Sequence, residues 1–327
     1  MMIVSDLLQR LPLLLLLITP SSILGLSTPN TPPPPIETLK GIPLETLEGT
    51  TRYRGRAAYD GNGFQGFQLQ PDRRTIQGEL EEVLARRFQR LVRVVGASRT
   101  DAGVHARGQA IHFDLKEGEI ESQQDLEKLQ RSMNSMLRQD LQVYNLQEAP
   151  VLDKEVNGIL RIYPWNAMLD STGKLYIYRL SAAKSMDPLE RHNRYDTKWK
   201  DTNVDVLERT LKHFEGSHDF RAFAGGIEQM EKRMKGGTMN TRRQVYSIDI
   251  VDEGAGMYRI EVRLKGALYK MIRNMVGTAL DVAWGHLSEE DFLALLHRTE
   301  AAGRTQNKSK PAPPEGLTLE QVYYEDF

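Results

Sequence analysis

The chain has 327 residues, 40% hydrophobic and 27% charged, with a net charge of −1, which fits a soluble globular protein with a sizeable core. That balance excludes a global field drawing it to nucleic acid, so any RNA site must be built from local basic patches. Cysteine is absent and the seven histidines are scattered without a close pair, which excludes disulfides and thiolate metal sites and argues against a metal centre.

The first fifty residues differ from the rest. Leu11 to Leu26 is apolar but broken by Pro12 and Pro20, too short for a membrane span and suited to the hydrophobic region of a leader. Ser27 to Pro35 is proline-rich and cannot enter a core. Residues 1 to about 50 read as a targeting segment plus linker, with two readings open. One is a leader to an organelle such as a plastid or mitochondrion, leaving a mature protein without a membrane partner. The other is a disordered tail on a cytoplasmic or nuclear protein.

Folding should begin near Arg52. Tyr53, Gly55, Ala57 and Tyr59 share one face of a strand that ends at the turn Asp60-Gly61-Asn62-Gly63. Ile76, Leu80, Val83, Leu84, Phe88 and Leu91 then form one helical stripe, with Thr75 as N-cap. Arg86, Arg87, Arg90 and Arg93 on its polar side suit either a phosphate-contacting ridge or a solvated face.

The stretch Gly96 to Asp114 (G-A-S-R-T-D-A-G-V-H-A-R-G-Q-A-I-H-F-D) carries Arg99, Thr100 and Asp101 on a polar turn. It leads into Ile111, Phe113 and Leu115, which alternate with His112 and Asp114 as in a strand with one buried face. Asp101 is either a turn cap or a reactive carboxylate on a rigid frame. A second helix carries Leu126, Leu129, Met133, Met136 and Leu137, and Leu141, Val143 and Leu146 mark another strand. The first half therefore reads strand, helix, strand, helix, strand.

In the second half, Tyr176 and Tyr178 lie two apart and so on one strand face. That pair suits packing, or stacking on an extruded base. Ser185 to Thr202 is a long polar loop. Val204, Leu207, Leu211 and Phe214 give a helix, and His218 with Asp219 marks a helix-to-strand junction. Lys232, Arg233, Lys235, Arg242 and Arg243 lie in a glycine-containing, flexible basic loop (225 to 243), the best local candidate for gripping a phosphate backbone. Tyr246 to Ile250 and Ile260 to Leu264 form an antiparallel hairpin across D-E-G-A-G. Leu268 to Trp284 is a helix apolar nearly all round, hence buried. Arg273 lies within it on packed surface, and a buried guanidinium needs an anion. Ser288 with Asp291 caps a last helix. A basic, mobile segment (304 to 310) precedes a closing strand in Ala312 to Tyr324.

Taken together, these stretches resemble the tRNA pseudouridine synthase A (TruA) family. Its loop G-R-T-D-x-G-V-H-A-x-G-Q-V-x-H-F aligns without a gap from Ser98 to Phe113, with Ser98 in place of the first Gly and Ala110 in place of the second Val. Y-D-G-N-G-F-Q-G-F-Q-L-Q (Tyr59 to Gln70) is similar to the family's opening, with Phe67 for Trp. N-S-M-L-R-Q-D-L-Q-V, F-E-G-S-H-D-F-R-A-F and A-L-Y-K-M-I-R-N-M-V-G also match in order. Met168 stands where the family has Arg.

The resemblance implies an α+β pseudouridine synthase fold of two similar halves (51–160 and 161–327), each a mainly antiparallel sheet backed by helices, with the cleft between. It implies isomerisation of uridine in the anticodon stem-loop of tRNA, commonly positions 38 to 40, by a homodimer that needs no cofactor or metal. Asp101 would be the nucleophile and Arg273 its ion-pair partner, and Tyr176 would stack on the uracil. Arg99 would enter the space left by the flipped nucleotide, and Thr100, Tyr178, Lys235, Arg242 and Arg243 would contact the substrate. An ion pair of Arg273 elsewhere in the second half is the alternative for that residue. The rivals for the whole chain are a non-catalytic RNA-binding protein of the same fold and an acid-base hydrolase using Asp101 and His105.

Overall fold

In the computed structural model the described residues are 49–156, 159–198, 201–234, 237–297, 304–325 and 327. The expected leader lies almost wholly outside them, and so does Lys235.

Strand β1 (Thr50–Tyr59) lies between β3 (His105–Lys116) and β4 (Leu141–Glu148), antiparallel to both. Tyr53, Ala57 and Tyr59 are buried as the alternation requires, yet Arg54 and Arg56 on the opposite face are buried too. Their guanidinium carbons sit 4.5 and 4.4 Å from the Phe327 ring centre, so aromatic cover takes the place of water on that face. The same double cover holds in β3, where His112 is as buried as its neighbours Ile111 and Phe113 and its Nδ1 accepts from the Ala167 N–H at 3.1 Å.

Helix α1 (Ile76–Phe88) is capped by Thr75 Oγ1, which accepts from the Gly78 N–H at 3.2 Å. Gln89, left-handed at φ 52°, ends it. Leu91 therefore falls beyond the helix and is exposed, not part of the buried stripe. Helix α2 (Gln123–Met136) buries Leu126, Leu129 and Met133 as its spacing predicts. A short strand β2 (Val94–Gly96) pairs with β3. A separate ribbon, β5 (Val151–Val156) with β6 (Ile159–Pro164), was not legible in the sequence.

Strands β7 (Gly173–Ser181), β11 (Met257–Leu264), β10 (Arg242–Gly254) and β9 (Gly216–Asp219) are consecutive antiparallel neighbours. The hairpin between β10 and β11 turns at Ala255 and Gly256, both at positive φ, the two-residue geometry that matches strand twist. Strand β12 (Leu317–Tyr323) inserts between the two groups, parallel to β3 and antiparallel to β7. The result is one α+β, mainly antiparallel sheet in the order β4-β1-β3-β12-β7-β11-β10-β9, with β2 on β3 and β8 (Tyr195–Asp196) beside β7. Strands from both halves of the chain are thus joined edge to edge through β12.

Helix α3 (Val204–Lys212) packs against α5 (Met271–Ala283). Helix α5 starts three residues later than its apolar pattern suggests, because Lys270 is left-handed at φ 58°. Lys270 is thus outside the helix. Helix α6 (Glu289–His297) begins after Ser288, whose Oγ accepts from the Asp291 N–H at 3.1 Å.

Two loop expectations need correction. The basic stretch after Gly225 contains a short helix, α4 (Ile227–Arg233), held by Arg221 pairing with Glu231. The segment from Arg304 to Ala312 is not a free tail but a strap on α5. Asn307 Nδ2 donates to Thr278 Oγ1 at 2.9 Å, and the Ala312 N–H donates to Arg273 O at 2.8 Å.

Candidate active site

The turn carrying Asp101 connects β2 to β3 and is fastened by its backbone. The Phe67 N–H donates to Thr100 O (3.1 Å), the Val104 N–H to Asp101 O (3.2 Å), and the Gly103 N–H to Phe64 O (3.4 Å). Gly103 sits at φ 79°, and a Cβ there would lie 2.8 Å from Pro314 Cγ, so both the conformation and the space demand glycine. Beneath the turn, Phe67 is buried against Gly96. Thr100 is also buried, its Oγ1 2.8 Å from the Tyr59 hydroxyl. It supports the turn from inside.

The Asp101 side chain does not cap that turn. Its Oδ2 accepts from Arg273 Nη1 at 2.9 Å, and the two side chains are 12% and 11% exposed. Arg273 Nε also donates to Ala312 O at 2.8 Å, while Ala312 donates back to Arg273 O. The strap therefore aims the guanidinium. The anion that a cation on an apolar helix requires is Asp101, not an acid of the second half. Burial pushes the Asp101 carboxyl above the usual value, and the adjacent Arg273 charge and hydrogen bond, then Lys270, oppose that shift.

Strand β7 presents Lys174, Tyr176 and Tyr178 on one face, all buried. The Tyr176 hydroxyl lies 2.9 Å from Ser98 Oγ. Burial pushes that phenol up to about 12; the Ser98 hydrogen bond opposes the rise and the nearby Asp101 charge adds to it. Lys174 Nζ donates to Ala97 O at 2.7 Å and to Ser98 Oγ at 3.3 Å. Tyr178 shares the face but not the cleft. It is 0% exposed, and its hydroxyl donates to Pro313 O at 2.9 Å, so it holds the end of the strap. Lys174 and Ser98 were absent from the expected site, although the period of two already put Lys174 on the tyrosine face.

The remaining candidates are placed as follows. Arg99 is exposed beside Asp101 and has no ion pair among the described residues. Arg242 and Arg243 line an open cleft of about 410 Å3 with Ser217, Gln244, Lys265 and Gly266. Arg243 Nη1 is spent on the backbone oxygens of Asn240 and Arg242. Lys235, grouped with them from the sequence, lies outside the described residues.

His105 accepts at Nδ1 from the Gly61 N–H (3.1 Å), and its Nε2 meets Glu315 O at 3.1 Å. Burial lowers its pKa against the opposing charge of Asp60, whose Oδ1 is 3.2 Å from Nδ1, and with both nitrogens engaged within the fold it serves as a strut. Met168 stands in a turn at Asn166 to Asp170, its N–H donating to Asn166 Oδ1 at 2.9 Å. Among the described residues no group of three or more His, Asp or Glu is arranged to hold a metal, and no helix is long and apolar enough to cross a membrane.

The chain matches the family model described as tRNA pseudouridine synthase over residues 57–157 and 210–325. A tRNA pseudouridine synthase A of Listeria innocua is 33% identical over 282 residues, covering 84% of this chain and all of that protein. The corresponding protein of Geobacillus kaustophilus is 34% identical over 282 residues, covering 85% of this chain and 96% of that one. "tRNA pseudouridine synthase A 1" of Protochlamydia amoebophila is 34% identical over 275 residues, covering 84% and 96%. With a matched model spanning most of the fold and relatives aligned nearly end to end, the chain belongs to the tRNA pseudouridine synthase family.

Proposed function

We propose that this chain isomerises uridine to pseudouridine in the anticodon stem-loop of tRNA, with Asp101 as the nucleophile. The observation that carries the reading is the 2.9 Å pair between Asp101 and Arg273, residues brought from the two ends of the fold to one buried point beside Tyr176. The reaction breaks the bond from ribose C1′ to uracil N1, forms one from C1′ to C5, and moves a proton from C5 to N1. A carboxylate serves the first step by adding covalently or by removing a ribose proton to give a glycal. Arg273 orients that carboxylate and favours its ionised form.

Tyr176 supplies an aromatic wall for a base turned out of the stem, and Arg99 the side chain that fills the vacated space. Arg242 and Lys265, with the Arg243 nitrogens other than Nη1, donate to backbone phosphates in the 410 Å3 cleft. That cleft is reached from Lys174 by two strand steps, β7 to β11 to β10, roughly 10 Å at about 4.8 Å per step. A second copy of the chain completes the tRNA-binding surface, which light scattering of the purified protein would test. Residues 1 to about 50 direct the protein to an organelle, which deleting them in a fluorescent fusion would test.

The decisive experiment incubates tRNA transcripts with the protein and with Asp101→Asn, then measures pseudouridine position by position. Formation in the stem-loop by the parent and none by the variant, with tRNA still bound, is expected. Binding by the parent without modification would make it an RNA-binding protein, and full activity of Asp101→Asn would remove Asp101 from the mechanism.

A further inference from the structure

Beside Asp101 lies a hydrogen-bond chain that the reaction scheme leaves unused. Lys174, 8% exposed, donates to Ala97 O at 2.7 Å and to Ser98 Oγ at 3.3 Å. Burial lowers its pKa to about 8, so the ammonium form prevails at neutral pH. An ammonium has hydrogens and no lone pair, so Ser98 Oγ is the acceptor in that contact. Its single hydrogen then goes to the Tyr176 oxygen, 2.9 Å away.

Ser98 is itself held at both backbone groups. Its N–H donates to Gln109 Oε1 at 3.2 Å, and its carbonyl accepts from Gln109 Nε2 at 2.6 Å. The hydroxyl therefore cannot drift from the line between Lys174 and Tyr176. If Tyr176 accepts from Ser98, its own hydrogen has no partner among the described residues, although the residue is only 6% exposed. A buried donor without an acceptor is unfavourable, and a ligand oxygen placed against it would supply the missing partner.

We propose that Ser98 is a positioning residue: it passes on the hydrogen-bond direction set by Lys174, so that Tyr176 offers its hydroxyl hydrogen to an oxygen of the target nucleoside. This rests on the uridine-isomerase reading and deepens it, giving Tyr176 a polar contact in addition to its ring face. The acceptor is either a uracil carbonyl or the ribose 2′ oxygen.

The test measures kcat and KM on tRNA for the parent, Ser98→Ala, Ser98→Thr, Tyr176→Phe and the double variant Ser98→Ala/Tyr176→Phe, with melting midpoints to establish folding. Ser98→Ala should lower kcat about 10-fold, the worth of one hydrogen bond, with KM little changed. Ser98→Thr should recover most of it. The double variant should be no slower than Tyr176→Phe alone, since Ser98 acts through the hydroxyl. A stem-loop with 2′-deoxyuridine at the target separates the two acceptors, because a Ser98→Ala deficit that persists there points to the carbonyl and one that vanishes points to the ribose. Parental kcat in Ser98→Ala, or a double variant slowed by the product of the two single losses, would overturn the proposal. A parent that modifies no tRNA would instead overturn the isomerase reading on which it stands.

Discussion

Replacing Arg273 by Ala removes the guanidinium that donates to Asp101 at 2.9 Å and to Ala312 O at 2.8 Å. Both charged side chains are only 11–12% exposed, so the loss belongs with buried pairs broken on one side, about 3–5 kcal/mol, and not with surface pairs at about 0–1 kcal/mol. At about 2–4 °C per kcal/mol for a domain of 150–250 residues, the melting midpoint should fall by roughly 10 °C at pH 8. The sign of the pH dependence follows from Asp101. Its pKa in the fold is already raised by burial, and losing the cation raises it further. A carboxyl whose folded pKa exceeds its unfolded one carries stability that is fully present below the unfolded pKa and lost as pH rises through the folded one. The deficit of Arg273→Ala should therefore be largest at pH 8 and shrink as the pH falls towards 5.

Adding Asp101→Asn should restore part of the loss, since the uncompensated charge is gone; coupling of about 0.5–3 kcal/mol is normal for groups in contact. Scanning calorimetry of the two single variants and the double variant at both pH values checks this. An Arg273→Ala midpoint equal to the parent at pH 8, or a deficit independent of pH, would refute the reasoning.

Two further predictions concern the strap and the basic cleft. A Cβ on Gly277 would lie 2.1 Å from Lys310 O and 2.9 Å from Ala312 N, so Gly277→Ala must push the strap off α5. It should cost about 1–3 kcal/mol and lower activity by shifting Ala312 from Arg273, whereas unchanged melting and kinetics would show that the strap yields freely. Arg242→Ala with Lys265→Ala should weaken tRNA binding at low salt and flatten its salt dependence by up to about two counterions, leaving melting unchanged. An unaltered salt slope in a binding titration would place the phosphates elsewhere.

Local physics made much of this molecule readable in advance. The buried stripe of α5, the hairpin closed by Ala255 and Gly256, and the Thr75 and Ser288 caps each depend on residues a few positions apart, and periodicity reports such relations directly. The turn at Arg99 to Asp101 was legible for the same reason, as was the shared face of Lys174, Tyr176 and Tyr178. Periodicity states which side chains share a face but not what lies opposite. The pairing of Asp101 with Arg273 spans 172 positions, and only the placement of α5 against the β2–β3 turn selects that acid among all others. Tertiary packing likewise separated Tyr176, whose hydroxyl meets Ser98, from Tyr178, bonded to Pro313. It also laid the basic segment after Arg304 across Gly277, where the absent side chain admits a backbone. Strand β12 reaches β3 from about two hundred residues away in sequence, a contact that no local pattern encodes because its energy is realised only once both halves have folded around it.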